Sequence, residues 1–151
     1  MEKITIALAT ENEKEWAARK IASSEPWLTL GTTLENCLWF CNNPEYIVFI
    51  AHIDDRPCGA MIIHPRGLAS SPYLKSIVIE EGYRNKGIGR ELLKHGEGHF
   101  RAVSKHFFLC VSSFNTRARA LYEKLGYRKV GEFSDYIIEG QSEILLYKRL
   151  R

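Results

Sequence analysis

The sequence predicts an α/β (α+β) fold in which strands and helices interleave along a single domain, residues 1–151. Three observations predict it. The length suits one domain with a sizeable core. Segments of strand and helix periodicity follow in the order strand, two helices, three strands, helix, strand, helix, two strands. Hydrophobic residues make up 45% of the chain and charged residues 26%, the balance of an ordinary globular protein.

Ile4 to Leu8 alternates polar and apolar side chains, as a half-buried strand does. Glu11 to Ser23 reads as a helix, capped by Thr10 or Asn12 and acidic in its first turn. Pro26 to Gly31 reads as a loop, and a second helix runs from about Thr33 to Cys41, capped by Thr32 or Thr33. Asn42-Asn43-Pro44 stops it. Glu45 to Ile53 and Cys58 to His64 are strands joined by the turn Asp54-Asp55-Arg56-Pro57, hence a hairpin. Tyr73 to Glu80 is the central strand. Gly87 to about Arg101 is a helix whose last turns Gly96 and Gly98 weaken. Phe107 to Val111 is a buried strand. Thr116 to Leu125 is a helix that Asn115 caps and Gly126 ends. Tyr127 to Phe133 and Glu143 to Lys148 are the last strands, joined through a longer segment containing Asp135-Tyr136.

Composition excludes several classes. The apolar runs are far shorter than the ~20 residues that span a bilayer, so no membrane partner is expected. The start, Met1-Glu2-Lys3-Ile4-Thr5, lacks a signal-peptide pattern, and the expected location is cytoplasmic. The four cysteines, Cys37, Cys41, Cys58 and Cys110, form no Cys-x-x-Cys pair and read as free thiols. Cys37/Cys41 and His95/His99 are each four apart, but neither pair has an evident third ligand, so no metal is expected. A net charge of only +3 argues against nucleic acid, which needs a concentrated basic face.

The chemistry begins at Arg84-Asn85-Lys86-Gly87-Ile88-Gly89-Arg90, between the apolar run Ile77-Val78-Ile79 and a helix. A strand that breaks at glycines and enters a helix aims exposed N–H groups and the positive end of the helix dipole at one point. Arg84, Lys86 and Arg90 add charge there, so the expected ligand bears phosphate. Gly82 and Gly87 have the spacing of a Walker A loop, but Ile88-Gly89 stands where Lys-Ser/Thr must be. Gly87-Ile88-Gly89 starts a dinucleotide fingerprint, but Leu92 replaces the third glycine.

The stretch instead resembles the acyl-coenzyme A loop of the GNAT acetyltransferases, Arg/Gln-x-x-Gly-x-Gly/Ala. A second segment, Asn115 to Tyr127, matches that family's other signature in its Asn, its Ala-x-x-Leu-Tyr and its Leu-Gly-Tyr. The resemblance covers nearly the whole chain and is weakest between Ala9 and Asn43. It implies the GNAT fold, a mixed and mostly antiparallel sheet of about six or seven strands with helices on both faces. It also implies acetyl-coenzyme A as cosubstrate and transfer of its acetyl group to a primary amine, with no metal. The acceptor is a small molecule, a peptide or a protein, and the family's habits admit a homodimer.

The same resemblance implies roles. Arg84, Asn85, Lys86, Gly87, Ile88, Gly89 and Arg90 would hold the pyrophosphate, with glycine at 87 and 89 keeping Cβ atoms away from it. Ile77, Val78 and Ile79 would run beside the pantetheine arm, and an N–H near Ile79 would polarise the thioester carbonyl. Asn115 would contact the pantetheine amide or serve only as a helix cap. Tyr122 falls where the family's tyrosine protonates the departing sulfur; a phenol near pKa ~10 suits that task, although a tyrosine packing helix against sheet is the bland alternative.

For the general base, Glu80 is the first candidate and Glu81 the second, although many relatives carry proline at the latter position. Relatives that acetylate ribosomal amino termini carry a glutamate where this chain has Cys110, while Pro26-Trp27 resembles their loop. Trp27 and Tyr136, with Glu25, Glu35 and Asp135 nearby, would receive a cationic or aromatic amine. The lack of an unmistakable base leaves a second reading open: a module that binds an acyl-coenzyme A as a sensor without turnover.

Overall fold

The computed structural model describes residues 3–151; Met1 and Glu2, where the signal-peptide reading starts, lie outside them. Seven strands form one sheet. They are β1 (Ile4–Leu8), β2 (Ile47–Ile53), β3 (Arg56–Leu68), β4 (Ser71–Ile79), β5 (His106–Ser112), β6 (Arg128–Ser134) and β7 (Ser142–Arg149). Their spatial order is β1-β2-β3-β4-β5-β7-β6. Among the described residues β4 and β5 are the parallel neighbours, and the other adjacent pairs are antiparallel. The expected mixed, mostly antiparallel sheet is what the chain forms.

Helices cover both faces. Strand alternation sends Val48, Ile50, Ala60, Ile62 and Val78 to one side, where they meet Ala17, Ala18 and Ile21 of α1 (Glu11–Ala22) and Cys37, Phe40 and Cys41 of α3 (Leu34–Asn42). Phe49, Met61, Ile63, Leu109, Val111, Ile144 and Leu146 face the other way. There they pack on α4 (Ile88–Phe100) and α5 (Thr116–Lys124). The stripe Ile88, Leu92, Leu93, Gly96, Glu97 and Phe100 is the buried face of α4. Leu92 and Leu93 are fully buried, which stabilises by roughly 2 kcal/mol each.

Local chemistry explains the helix starts. Thr10, not Asn12, caps α1: its hydroxyl accepts from Glu13 N while the Glu13 carboxylate accepts from Thr10 N, a complete capping box. Thr33 caps α3 through Asn36 N. Between them the predicted loop contains a helical turn, α2 (Trp27–Leu30). Glu25 makes it, because its carboxylate accepts from both the backbone N–H and the hydroxyl of Thr29.

Two predicted boundaries are corrected. β3 continues past His64 to Leu68, and β4 begins at Ser71, so the two form a second long hairpin. Pro65 hid this, since proline usually ends a strand; here it lies in the irregular stretch between His64 and Leu68, where ladder bonds are not required. Gly96 is also more than a weak helical residue. A Cβ there would lie 3.0 Å from Ile63 Cδ1 and Met61 Cε, so the glycine lets α4 approach β3.

One polar cluster is buried in this layer. Glu97, 3% exposed, accepts from the Tyr127 hydroxyl and from Lys148 Nζ, each at 2.8 Å. Burial and the Glu97 carboxylate push the Tyr127 phenol far above its ordinary pKa. Glu97→Ala is expected to destabilise the fold by about 3 kcal/mol, because Tyr127 and Lys148 lose their shared acceptor. Urea unfolding beside the wild type measures this.

Candidate functional site

The site originates where the sheet comes apart. β4 and β5 pair only at Tyr73↔Phe108 and Leu74↔Leu109. Against β3, Leu74 opposes Ile63 while Ser76 opposes Ile62, so Lys75 is an extra residue on β4. A bulge of this kind bends its strand and ends pairing. Beyond it a cleft of about 500 Å³ opens between the strands. Ser76, Ile77 and Ile79 of β4 line one side, and Cys110, Val111 and Ser112 of β5 the other. Among the described residues β4 has no strand partner on this edge past Leu74, which leaves backbone groups there for a ligand.

The cleft passes through the sheet. On the α4–α5 side it is lined by Gly89, Leu93, Asn115, Ala118, Leu121 and Tyr122. On the α1–α3 side it is lined by Trp27 and its neighbours, by Tyr73, by Phe133 near the end of β6, and by Tyr136 and Ile137 of the β6–β7 connection. That connection is braced by Asp135, which accepts from Gly140 N at 2.6 Å, and by Phe133–Tyr136 ring contact at 5.2 Å.

At one end of the cleft the chain leaves β4 through a 3-10 turn, Glu81–Tyr83, and enters α4. Gly87 is the N-cap at φ 83, and no side chain caps the helix. The first-turn N–H groups of α4 therefore have neither an intrahelical acceptor nor a side-chain one, and the helix dipole makes that spot positive. Ile88 contributes backbone only, since its side chain is core. Arg90 is exposed; Arg84 Nε donates to Ile79 O at 3.2 Å; Lys86 lies over the Tyr83 ring at 5.5 Å. Arg117 of α5 donates to the Asn85 side-chain oxygen, bringing a further cation to the loop. A Cβ on Gly89 would come no nearer than 4.0 Å to Ile79. The protein itself does not require glycine there, so the open space favours a ligand. Uncapped donors, surrounding cations and an open slot together suit a phosphate-ended, extended molecule such as coenzyme A.

Tyr122 sits inside the cleft, 7% exposed. Its ring meets Tyr127 edge-on at 6.0 Å, and its hydroxyl has no hydrogen-bond partner among the described residues. Burial pushes its pKa up to about 12. Asn115 both caps α5, accepting from Ala118 N at 3.4 Å, and lines the cleft. Ile77, Ile79, Gly89, Asn115, Tyr122, Trp27 and Tyr136 are thus brought together around one opening.

Other predicted residues are not. Val78 points into the α1–α3 core. Glu80, two residues on, is held by Lys20 of α1 at 2.7 Å. Glu81 is exposed in the 3-10 turn. Neither glutamate lines the cleft, because the strand alternates and then ends. Glu35 does not line it either, and both carboxylate oxygens of Glu25 are taken by Thr29. Conversely, Tyr73, Ser112 and Glu143 line the cleft without having been singled out by the sequence. Their one available signal was placement on strands beside Cys110.

Known proteins share this chain's family and fold. The model of the acetyltransferase (GNAT) family matches residues 8–127. N-alpha-acetyltransferase 40 of Saccharomyces cerevisiae is 32% identical over 126 residues, which are 77% of this chain and 42% of that protein; the chain thus spans less than half of that relative's length. Among solved structures, an acetyltransferase of the GNAT family from Desulfovibrio desulfuricans has a TM-score of 0.84 at 15% identity, covering 99% of this chain and 100% of that one. The ribosomal-protein alanine N-acetyltransferase from Escherichia coli has a TM-score of 0.80 at 19% identity, covering 98% of this chain and 94% of that one. An aminoglycoside 6'-N-acetyltransferase complexed with coenzyme A has a TM-score of 0.78 at 19% identity, each chain covered to 97%.

Two outcomes are expected. Gly87→Ala is expected to destabilise by about 1–2 kcal/mol, because φ 83 is left-handed and costs an L-residue about that much. No atom lies within 4 Å of the added Cβ, so the cost is backbone strain alone; thermal unfolding measures it. Tyr122 is expected to stay protonated well past the ordinary tyrosine range. Its folded pKa, about 12, exceeds the unfolded value near 10, so its contribution to stability is full below pH ~10 and is lost as pH rises through ~12. Absorbance titration of the wild type against Tyr122→Phe reads this directly.

Proposed function

The chain belongs to the acetyltransferase (GNAT) family, and from that premise we propose that it is an acetyl-coenzyme A-dependent N-acetyltransferase acting on a primary amine by direct attack in a ternary complex. The observation that carries the reading is the cleft at the β4–β5 divergence. It links the start of α4 to the Tyr122 phenol, both without a hydrogen-bonding side-chain partner among the described residues. Bound acetyl-coenzyme A supplies the acetyl group as a thioester.

The chain's residues do the rest. The first-turn N–H groups of α4, with Arg84, Lys86, Arg90 and Arg117 around them, receive the pyrophosphate. The free edge of β4 at Ile77–Ile79 pairs with the pantetheine amides, and Asn115 adds a contact from α5. A backbone N–H on that edge near Ile79 polarises the carbonyl. Tyr122 hands its proton to the departing sulfur, a task that a buried, un-ionised phenol can perform at neutral pH. The acceptor enters from the α1–α3 side between Trp27 and Tyr136. Cofactor and acceptor thus reach the same gap from opposite faces, which favours attack without a covalent enzyme intermediate.

The acceptor is the amine of a peptide, a protein or a small molecule. The yeast relative's name speaks for amino termini, and the aminoglycoside enzyme's for a small molecule. A thiol-release assay tests the reading with acetyl-coenzyme A and a panel comprising short peptides with free amino termini, lysine, spermidine, glycine and kanamycin. Turnover with one class supports it. Tyr122→Phe is then expected to lower kcat on the order of 100-fold with little change in KM.

The sensor reading keeps one supporting observation: Glu80 is engaged by Lys20 and Glu81 faces solvent. Tight coenzyme A binding by calorimetry, with no thiol release across the panel, would select it.

A further inference from the structure

The proposed transfer requires a group that makes the acceptor nitrogen neutral, and the sequence-predicted glutamates are out of place. The carboxylates near the cleft separate by what already occupies their oxygens. Glu80 is paired with Lys20. Glu25 spends both oxygens on Thr29. Asp135 braces its own loop through Gly140 N. Glu143 differs. It lines the cleft from β7, opposite Ser112 of β5 in the ladder. The Ser112 hydroxyl, on a residue 3% exposed, donates to Glu143 Oε2 at 2.6 Å. Among the described residues Oε1 has no hydrogen-bond partner, and no cation pairs with the carboxylate.

The mount is rigid. Ser113 ties the end of β5 to the start of β7 three times: its N–H donates to Ser142 O, its hydroxyl donates to Gln141 Oε1, and Ser142 N donates to that hydroxyl, all within 3.0 Å. Glu143 follows directly. Because side chains alternate, Ile144 enters the α4–α5 core while Glu143 faces the acceptor side.

We infer that Glu143, oriented by Ser112, receives the acceptor's ammonium group and takes its proton. The inference rests on the transferase reading above. The step balances as follows. The carboxylate accepts one proton from the ammonium. The freed nitrogen lone pair forms the C–N bond as the C–S bond breaks. Tyr122 gives its proton to the sulfur and regains one from the acylated nitrogen, and the proton on Glu143 leaves to water. One ammonium and one thioester become one amide, one thiol and one proton. The titratable and charged groups around Glu143 are Tyr73 and Lys75 on β4, Cys110 on β5, Tyr136 on the β6–β7 connection, and Glu25 ahead of α2. Lys75 lies over the Phe40 ring at 5.4 Å, so it is directed at α3. Burial, with Cys110 and Glu143 nearby, holds Tyr73 protonated, so that phenol does not serve as the proton acceptor.

The test is kcat/KM against pH for wild type and Glu143→Gln, using the fastest acceptor of the panel, with coenzyme A affinity by calorimetry alongside. Glutamine keeps the size of the side chain and can still accept from Ser112. A loss on the order of 100-fold near pH 7 is expected. It should shrink about tenfold per pH unit toward the acceptor's own pKa, because the free amine then needs no base. Coenzyme A affinity should not change. A loss equal at every pH, or no loss, overturns the inference while leaving the transferase reading intact. A wild type silent with the whole panel overturns both. Should Glu143→Gln lose coenzyme A binding through misfolding, Ser112→Ala decides: a roughly tenfold loss with the same pH trend supports the assignment, and a pH-independent loss overturns it.

Discussion

The cleft of this molecule depends on one pairing that stops early. β4 and β5 are parallel neighbours for two residue pairs, and then the extra residue Lys75 turns β4 aside. A sheet ordinarily has to satisfy its backbone groups strand against strand, and leaving them open in a core costs free energy. Here the cost falls where a ligand can offset it. The adjoining antiparallel ladders, β3–β4 on one side and β5–β7 on the other, are long enough to hold the split open.

The second constraint is the distance between α4 and the sheet. Gly96 lets the helix lie against Met61 and Ile63, and Gly59 gives the same closeness under Ile88 and Leu92, where a Cβ would come within 3.0–3.2 Å of three side chains. A helix docked this tightly has a fixed N-terminus. Its uncapped donors then hold a fixed position, which is what the proposed phosphate site requires. Asn115, capping α5 beside the same opening, fixes the other wall.

How much of this was legible in the sequence follows from range. The loop from Arg84 to Arg90 and the segment from Asn115 to Tyr127 are contiguous, and their local structure depends on neighbours a few residues away; the family and the helix starts were readable from them. So were the caps at Thr10, Thr33 and Asn115, and the hairpin at Asp54-Asp55. The continuation of β3 through Pro65 was not, because a local rule about proline yields to a tertiary irregularity. The pairing of Glu80 with Lys20 was not legible for a related reason. The glutamate's position at the end of β4 was right, but which face it takes depends on the strand's phase and on Lys20, sixty residues earlier in the chain. Ser112 and Glu143 lie 31 residues apart, and no spacing rule joins two single residues across such a gap.

The division of the sheet into two faces explains why the acidic and phenolic groups can have opposite tasks. Tyr122 is held among apolar neighbours on the α4–α5 side, where burial favours its neutral form. Glu143 stands on the α1–α3 side, half-buried at an opening that reaches solvent, and accepts from the Ser112 hydroxyl. A proton donor and a proton acceptor placed in one dry pocket would pair with each other. Setting them on opposite faces of a split sheet keeps them apart, and in the proposed transfer the gap between the strands is where the two ligands would meet.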